Sequence, residues 1–166
     1  MDFSSWDKIY KKELWEDIEF PLGITGEDIV TIPKVIEKAN KIIKIKECLY
    51  NYRYTPNSLT TSSYNSHTFD TLEILKEFEN IFMKGNFAEK LSLNSFKVTQ
   101  YMFYIQKLVF LNEDERINLN MKKYINYLRK KIIIIFLNPY IKFKTKINVM
   151  LALSPEKYKS YLEKKK

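Results

Sequence analysis

With 166 residues and 20.0 kDa, the chain has enough length for a packed core, and 45% apolar and 15% aromatic residues mark a folding sequence rather than a disordered one. A single cysteine, Cys48, and a single histidine, His67, exclude an internal disulfide framework and a zinc site of the usual kind. The net charge of +8 suits an anionic partner, but an ordinary solvated basic face is the preferred reading of it.

The N-terminal stretch MDFSSWDKIYKKELWED is mixed and charged, unlike a signal peptide. Within it, Phe3 to Tyr10 carries aromatic and β-branched residues in partial alternation, which predicts a short strand. KKELWEDI reads as a helical turn or two, stopped at Phe20-Pro21. The loop LGITG follows, holding two of the chain's three glycines. Glu27 and Asp28 then open an amphipathic helix with apolar positions at Val30, Val35, Ile36 and Ala39, distorted by Pro33.

KIIKIKECLYNYRY predicts a second strand, with Tyr50, Tyr52 and Tyr54 on one core-facing side and Cys48 as a small buried hydrophobe. TPNSLTTSSYNS is a polar loop and the clear break in the chain. From His67, expected as a cap or an exposed residue, the pattern turns helical. One helix is predicted in HTFDTLEILKEFENIFMK up to Gly85-Asn86, a second in SLNSFKVTQYMFYIQKLVFLN, and a third with a fourth in EDERINLNMKKYINYLRKKIIIIFL. A last helix starts at Ser154-Pro155-Glu156, with proline in its first turn. The stripe Phe96, Tyr101, Phe103, Tyr104 and Phe110 suits helix packing, because it lacks the interleaved arginines of a base-stacking surface. The longest apolar run, Ile132 to Leu137, falls far short of the roughly 20 residues that span a bilayer.

The predicted class is therefore an α/β piece over residues 1–66 followed by an all-helical extension over residues 67–166, mostly α by content. Two or three strands are too few for a stable sheet, so the α/β piece is expected to be incomplete at its front.

Adjacent acids in a first turn commonly do no more than complement the helix dipole. Four segments in order add a second reading of Glu27 and Asp28. They are Lys8-Ile9-Tyr10-Lys11 with Phe20-Pro21, the Glu27-Asp28 pair, Leu49-Tyr50-Asn51-Tyr52-Arg53, and Asn57-Ser58-Leu59-Thr60. In this order and spacing they resemble the C-terminal, acceptor-side part of a family 2 glycosyltransferase domain of the GT-A type, over about the first 66 residues.

The resemblance implies inverting sugar transfer from a nucleotide-sugar to an acceptor hydroxyl, in polysaccharide or glycoconjugate synthesis. It implies Asp28 as the general base with Glu27 beside it, and Arg53 as a ligand of the diphosphate or an acceptor anion. Trp6, Lys8 and Ser58 are the further substrate-binding candidates, although Trp6 and Trp15 also suit plain packing. The family's donor half, with its nucleotide-binding turn and Asp-x-Asp motif, has no counterpart in this sequence. The chain alone is thus expected to bind no metal or cofactor and to be inactive. A divalent ion (Mg or Mn), a nucleotide-sugar and a glycan or lipid-linked acceptor are implied for a complete enzyme.

The alternative is a non-catalytic basic helical module that docks on a membrane or a protein, through the segment from Lys122 to Lys146. The expected location is the cytoplasm, with peripheral contact at the inner face of the membrane. A nucleic-acid partner is not expected, because no helix-turn-helix, zinc or RNP signature is present.

Overall fold

The computed structural model describes residues 4–56, 58, 70, 72, 74–76, 79 and 84–165. They form two compact units, Met1–Ile74 and Leu75–Lys166.

In the first unit a 3-10 helix, Lys12–Trp15, packs on helix α1, Glu27–Lys38. Aromatic edges support that turn: Trp15 lies 5.2 Å from Tyr10, edge-on, and 5.4 Å from Phe20. Trp15 is thus a packing residue. Helix α1 buries Thr31, Ile32 and Val35, and Ile18 joins them in the core. The turn before α1 depends on Gly26, whose φ of 87° is left-handed and costs a residue with a Cβ strain that glycine avoids. Thr25 N–H donates to the Asp70 carboxylate at 2.8 Å, fixing that turn from outside. Pro33 sits inside α1 and leaves the Ile29 carbonyl without its intrahelical donor. An ion pair from Lys38 to Asp17 ties the last turn of α1 to the chain after the 3-10 helix.

The expected α/β piece is not found: among the described residues the structure is helical and contains no strand. Ser5 to Asp7 form a bend and turn rather than part of a strand, and residues 41–55 lack regular structure apart from a bend at Glu47... Cys48 is exposed rather than buried, as are Tyr50, Tyr52 and Tyr54. The physical reason is that alternation marks a strand only where a neighbouring strand completes its hydrogen-bond ladder, and the described residues offer none.

The second unit is a helical assembly. Helical residues at 75, 76 and 79 precede α2, Phe87–Leu108, and much of the predicted helix from His67 lies outside the described residues. Asn86 starts α2 with a reciprocal cap: its side chain accepts from Glu89 N–H at 3.0 Å, and its own N–H donates to the Glu89 carboxylate at 3.0 Å. Asn112 repeats the device for α3, Glu113–Asn118. Asn120, at φ 54°, turns the chain into α4, Met121–Lys130, which is followed by α5, Ile132–Leu137. Helix α6, Phe143–Ala152, was not expected from the sequence, and α7, Pro155–Glu163, starts as predicted with Pro155 in its first turn. The Ser154 hydroxyl makes no capping bond there.

Helix α2 is the central element, packing against α4, α5 and α6. Its buried side carries Val98, Tyr101, Tyr104, Ile105 and Leu108, and the rings of Tyr101 and Tyr104 meet Tyr124 of α4. Phe103 and Phe110 are exposed, so the predicted aromatic stripe divides between core and surface. Asn138 is fully buried after α5: its amide donates to Leu91 O at 2.8 Å, and its carbonyl accepts from Tyr140 N–H at 2.9 Å. Arg116 fastens α3 to α7, donating to Leu111 O at 2.8 Å, Val109 O at 2.9 Å and the Glu156 carboxylate at 2.7 Å.

Candidate functional site

The acids at the start of α1 lie in the first unit, where the chain from Ser4 to Tyr10 passes close to them. Asp28 occupies the second position of α1, half-buried, with the Ser5 N–H turned to its carboxylate. Burial is the main influence on that carboxyl and raises its pKa; the charge of Glu27 raises it further. The N–H groups of Ser5, Asp28 and Ile29 oppose the rise without cancelling it. Tyr10 stands in the same field, its phenol pushed up by burial first and then by Asp7 and Asp28. Its hydroxyl reaches the Ser5 carbonyl at 3.5 Å.

Beside the Ser5 contact stands Trp6, with ring centroids 4.6 Å from Tyr50 and 5.0 Å from Tyr52. The three rings form a partly exposed aromatic cluster on the surface of this unit. Aromatic faces of this kind pack against the C–H faces of sugars, and a carboxylate with a raised pKa can take a hydroxyl proton near neutral pH. The structure thus brings Trp6 and Asp28 to the same short segment through Ser5.

The other expected site residues are placed differently. Lys8 is already engaged, donating from Nζ to Ser4 O at 2.6 Å and pairing with Asp7. Arg53 is exposed in the irregular segment, and Ser58 is half-buried, while Asn57, Leu59 and Thr60 lie outside the described residues. Tyr10, Tyr50 and Tyr52 were missed as members of the site. The sequence signal for the last two was their inclusion in the Leu49–Arg53 segment, which was read as core.

A divalent ion on a sugar diphosphate needs several oxygen ligands around one point. Among the described residues no group of three histidine, cysteine or acidic side chains converges in that way. Glu27 and Asp28 alone do not meet the requirement.

Comparison with known proteins gives a relationship to glycosyltransferases. A stretch of 57 residues is 39% identical to the glycosyltransferase GlyA of Streptococcus pneumoniae serotype 4 (strain ATCC BAA-334 / TIGR4). The matched stretch is 34% of this chain and 8% of that protein, so the chain spans a small part of the relative's length. No family model and no solved structure matches the chain.

Proposed function

We propose that this chain carries the acceptor side of an inverting glycosyltransferase of family 2, acting in polysaccharide or glycoconjugate synthesis. The observation that carries the reading is the half-buried Asp28 carboxylate, its pKa raised, next to the segment that holds Trp6 against Tyr50 and Tyr52. The similarity to a glycosyltransferase over 57 residues supports it.

In this reading the acceptor sugar lies against the Trp6 cluster and presents a hydroxyl to Asp28. As the acceptor oxygen bonds to the anomeric carbon, its proton passes to the Asp28 carboxylate. The bond from that carbon to the diphosphate breaks on the opposite face, and the electron pair leaves with the nucleoside diphosphate. Burial adjusts Asp28 toward the pH at which a carboxylate is both ionised and basic enough for this task. Glu27 holds Asp28 in a negative field that favours uptake of the proton. The donor site, with nucleotide-sugar and divalent ion, is supplied by groups other than the described residues.

The test is sugar transfer by the protein in the form that turns over a nucleotide-sugar, comparing wild type with Asp28→Asn and Asp28→Glu. Loss of a general base lowers the rate by roughly 10²–10⁴-fold, with partial recovery in the glutamate variant. A rate near wild type in Asp28→Asn contradicts the assignment.

A further inference from the structure

We propose that the surface formed by α5 and α6 docks on an anionic lipid bilayer, lying in the interface rather than crossing it. This proposal is independent of the sugar-transfer reading.

The first observation is electrostatic. Between Glu115 and Glu156 the sequence contains no acidic residue, while it carries nine lysines and arginines. The net charge of the whole chain is +8, so this one stretch accounts for the entire excess and the remainder is close to neutral.

The second observation is the arrangement of apolar side chains within that stretch. On α5, Ile133, Phe136 and Leu137 are exposed at the i, i+3, i+4 spacing of one helix face. On α6, Phe143, Ile147 and Met150 are exposed at i, i+4, i+7. The two faces meet: Ile132, Ile133, Phe136 and Leu137 line one shallow, open groove together with Met150. Exposure is high, at 73% for Ile133, 78% for Leu137 and 75% for Phe143, in a unit whose core is otherwise well buried.

Cations flank these helices along the chain. Lys130 and Lys131 stand immediately before α5, Lys142 immediately before α6, and Lys146 donates from Nζ to the Phe136 carbonyl at 2.8 Å. An apolar face with a basic border is the chemistry of interfacial helices, whose apolar residues enter the acyl boundary while lysines meet lipid phosphates. No helix among the described residues is long and apolar enough to cross a membrane, which leaves the surface-bound arrangement. Two copies of so basic a surface would repel each other, whereas an anionic bilayer complements it.

The experiment is co-sedimentation of the full chain with phosphatidylcholine vesicles, with and without phosphatidylglycerol, at low and high salt. The chain is expected to sediment with the phosphatidylglycerol vesicles at low salt and to be released by salt or by omission of the anionic lipid. Each juxtamembrane lysine contributes about a fivefold gain in partitioning, so Lys130→Glu with Lys131→Glu weakens binding by roughly 30-fold or more. Ile133→Ser with Leu137→Ser weakens it by about tenfold or more, because each removes apolar area that the bilayer would bury. Circular dichroism checks that both variants keep the helical fold, and the salt and lipid comparisons need no variant. A wild-type chain that stays in solution with phosphatidylglycerol vesicles overturns the proposal. So does a folded variant of either kind that binds like wild type. Self-association without lipid that the Ile133→Ser, Leu137→Ser pair abolishes, with vesicle binding unchanged, assigns the face to a second copy and also overturns it.

Discussion

At Asp28 two sets of forces oppose each other. The open N–H groups of a helix start favour a negative charge, and an acid placed there for the dipole alone would titrate low. Here burial and the neighbouring Glu27 carboxylate outweigh those N–H groups and raise the pKa. Folding therefore favours the protonated form of Asp28. Its contribution to stability is fully present below the unfolded value of about 4 and is lost as pH rises through the raised folded value. Asp17 and Glu156 have the opposite sign, because Lys38 and Arg116 respectively hold them low, so their contributions are lost on acidification. Asp28→Asn should consequently tolerate neutral pH at least as well as wild type, with the difference disappearing below about pH 4. Thermal unfolding of both proteins across that range checks the sign.

Among the elements, the junction between α5 and α6 rests on Asn138, which is buried and satisfies both Leu91 O and Tyr140 N–H. Asn138→Ala removes the acceptor of Tyr140 N–H and the second bond to the Leu91 carbonyl, which keeps its helical donor; at about 0.5–1.5 kcal/mol for each lost bond it should be among the more destabilising single changes in this unit. Chemical denaturation measures it, and a loss below about 0.5 kcal/mol would show that the buried bonds contribute little. Asn138 was not legible in the sequence, because nothing in a run of NPYIK tells a buried asparagine from a loop residue. The starts of α1 and α7 were legible, since glycine before Glu27-Asp28 and proline after Ser154 punctuate helices directly. Helix α6 escaped notice because its exposed Phe143, Ile147 and Met150 blur the apolar period of its buried side. The two strands were misread because alternation is local, whereas a strand exists only with a neighbour. At the site, the sequence order led to Asp28 and Trp6, but that Tyr50 and Tyr52 meet Trp6 rather than a core depends on the path of the whole unit.

Over the whole molecule, order and charge are unevenly distributed. The helices of the second unit bury most of the core, while residues 41–55 of the first unit are exposed throughout. Amide hydrogen exchange should therefore be slow across the buried turns of α2 and α4 and close to unprotected from Lys41 to Tyr54. Strong protection in that segment would mean that it pairs with a neighbour in solution. The excess positive charge falls late in the sequence, mostly between Glu115 and Glu156 with a smaller share in the C-terminal residues, far along the sequence from Asp28. The two activities proposed for the chain, proton transfer at Asp28 and lipid contact at α5 and α6, thus fall on separate units.

In the proposed function Asp28 stands at the start of α1 as a base rather than as a stabilising helix acid. The most direct measurement is the thermal midpoint of Asp28→Asn against wild type at pH 7. An unchanged or raised midpoint is predicted, because the variant removes a charge that burial disfavours. If Asp28 served the helix dipole, its loss would cost roughly 0.3–1 kcal/mol and lower the midpoint by about 1–4 °C. A fall of that size would contradict the claim.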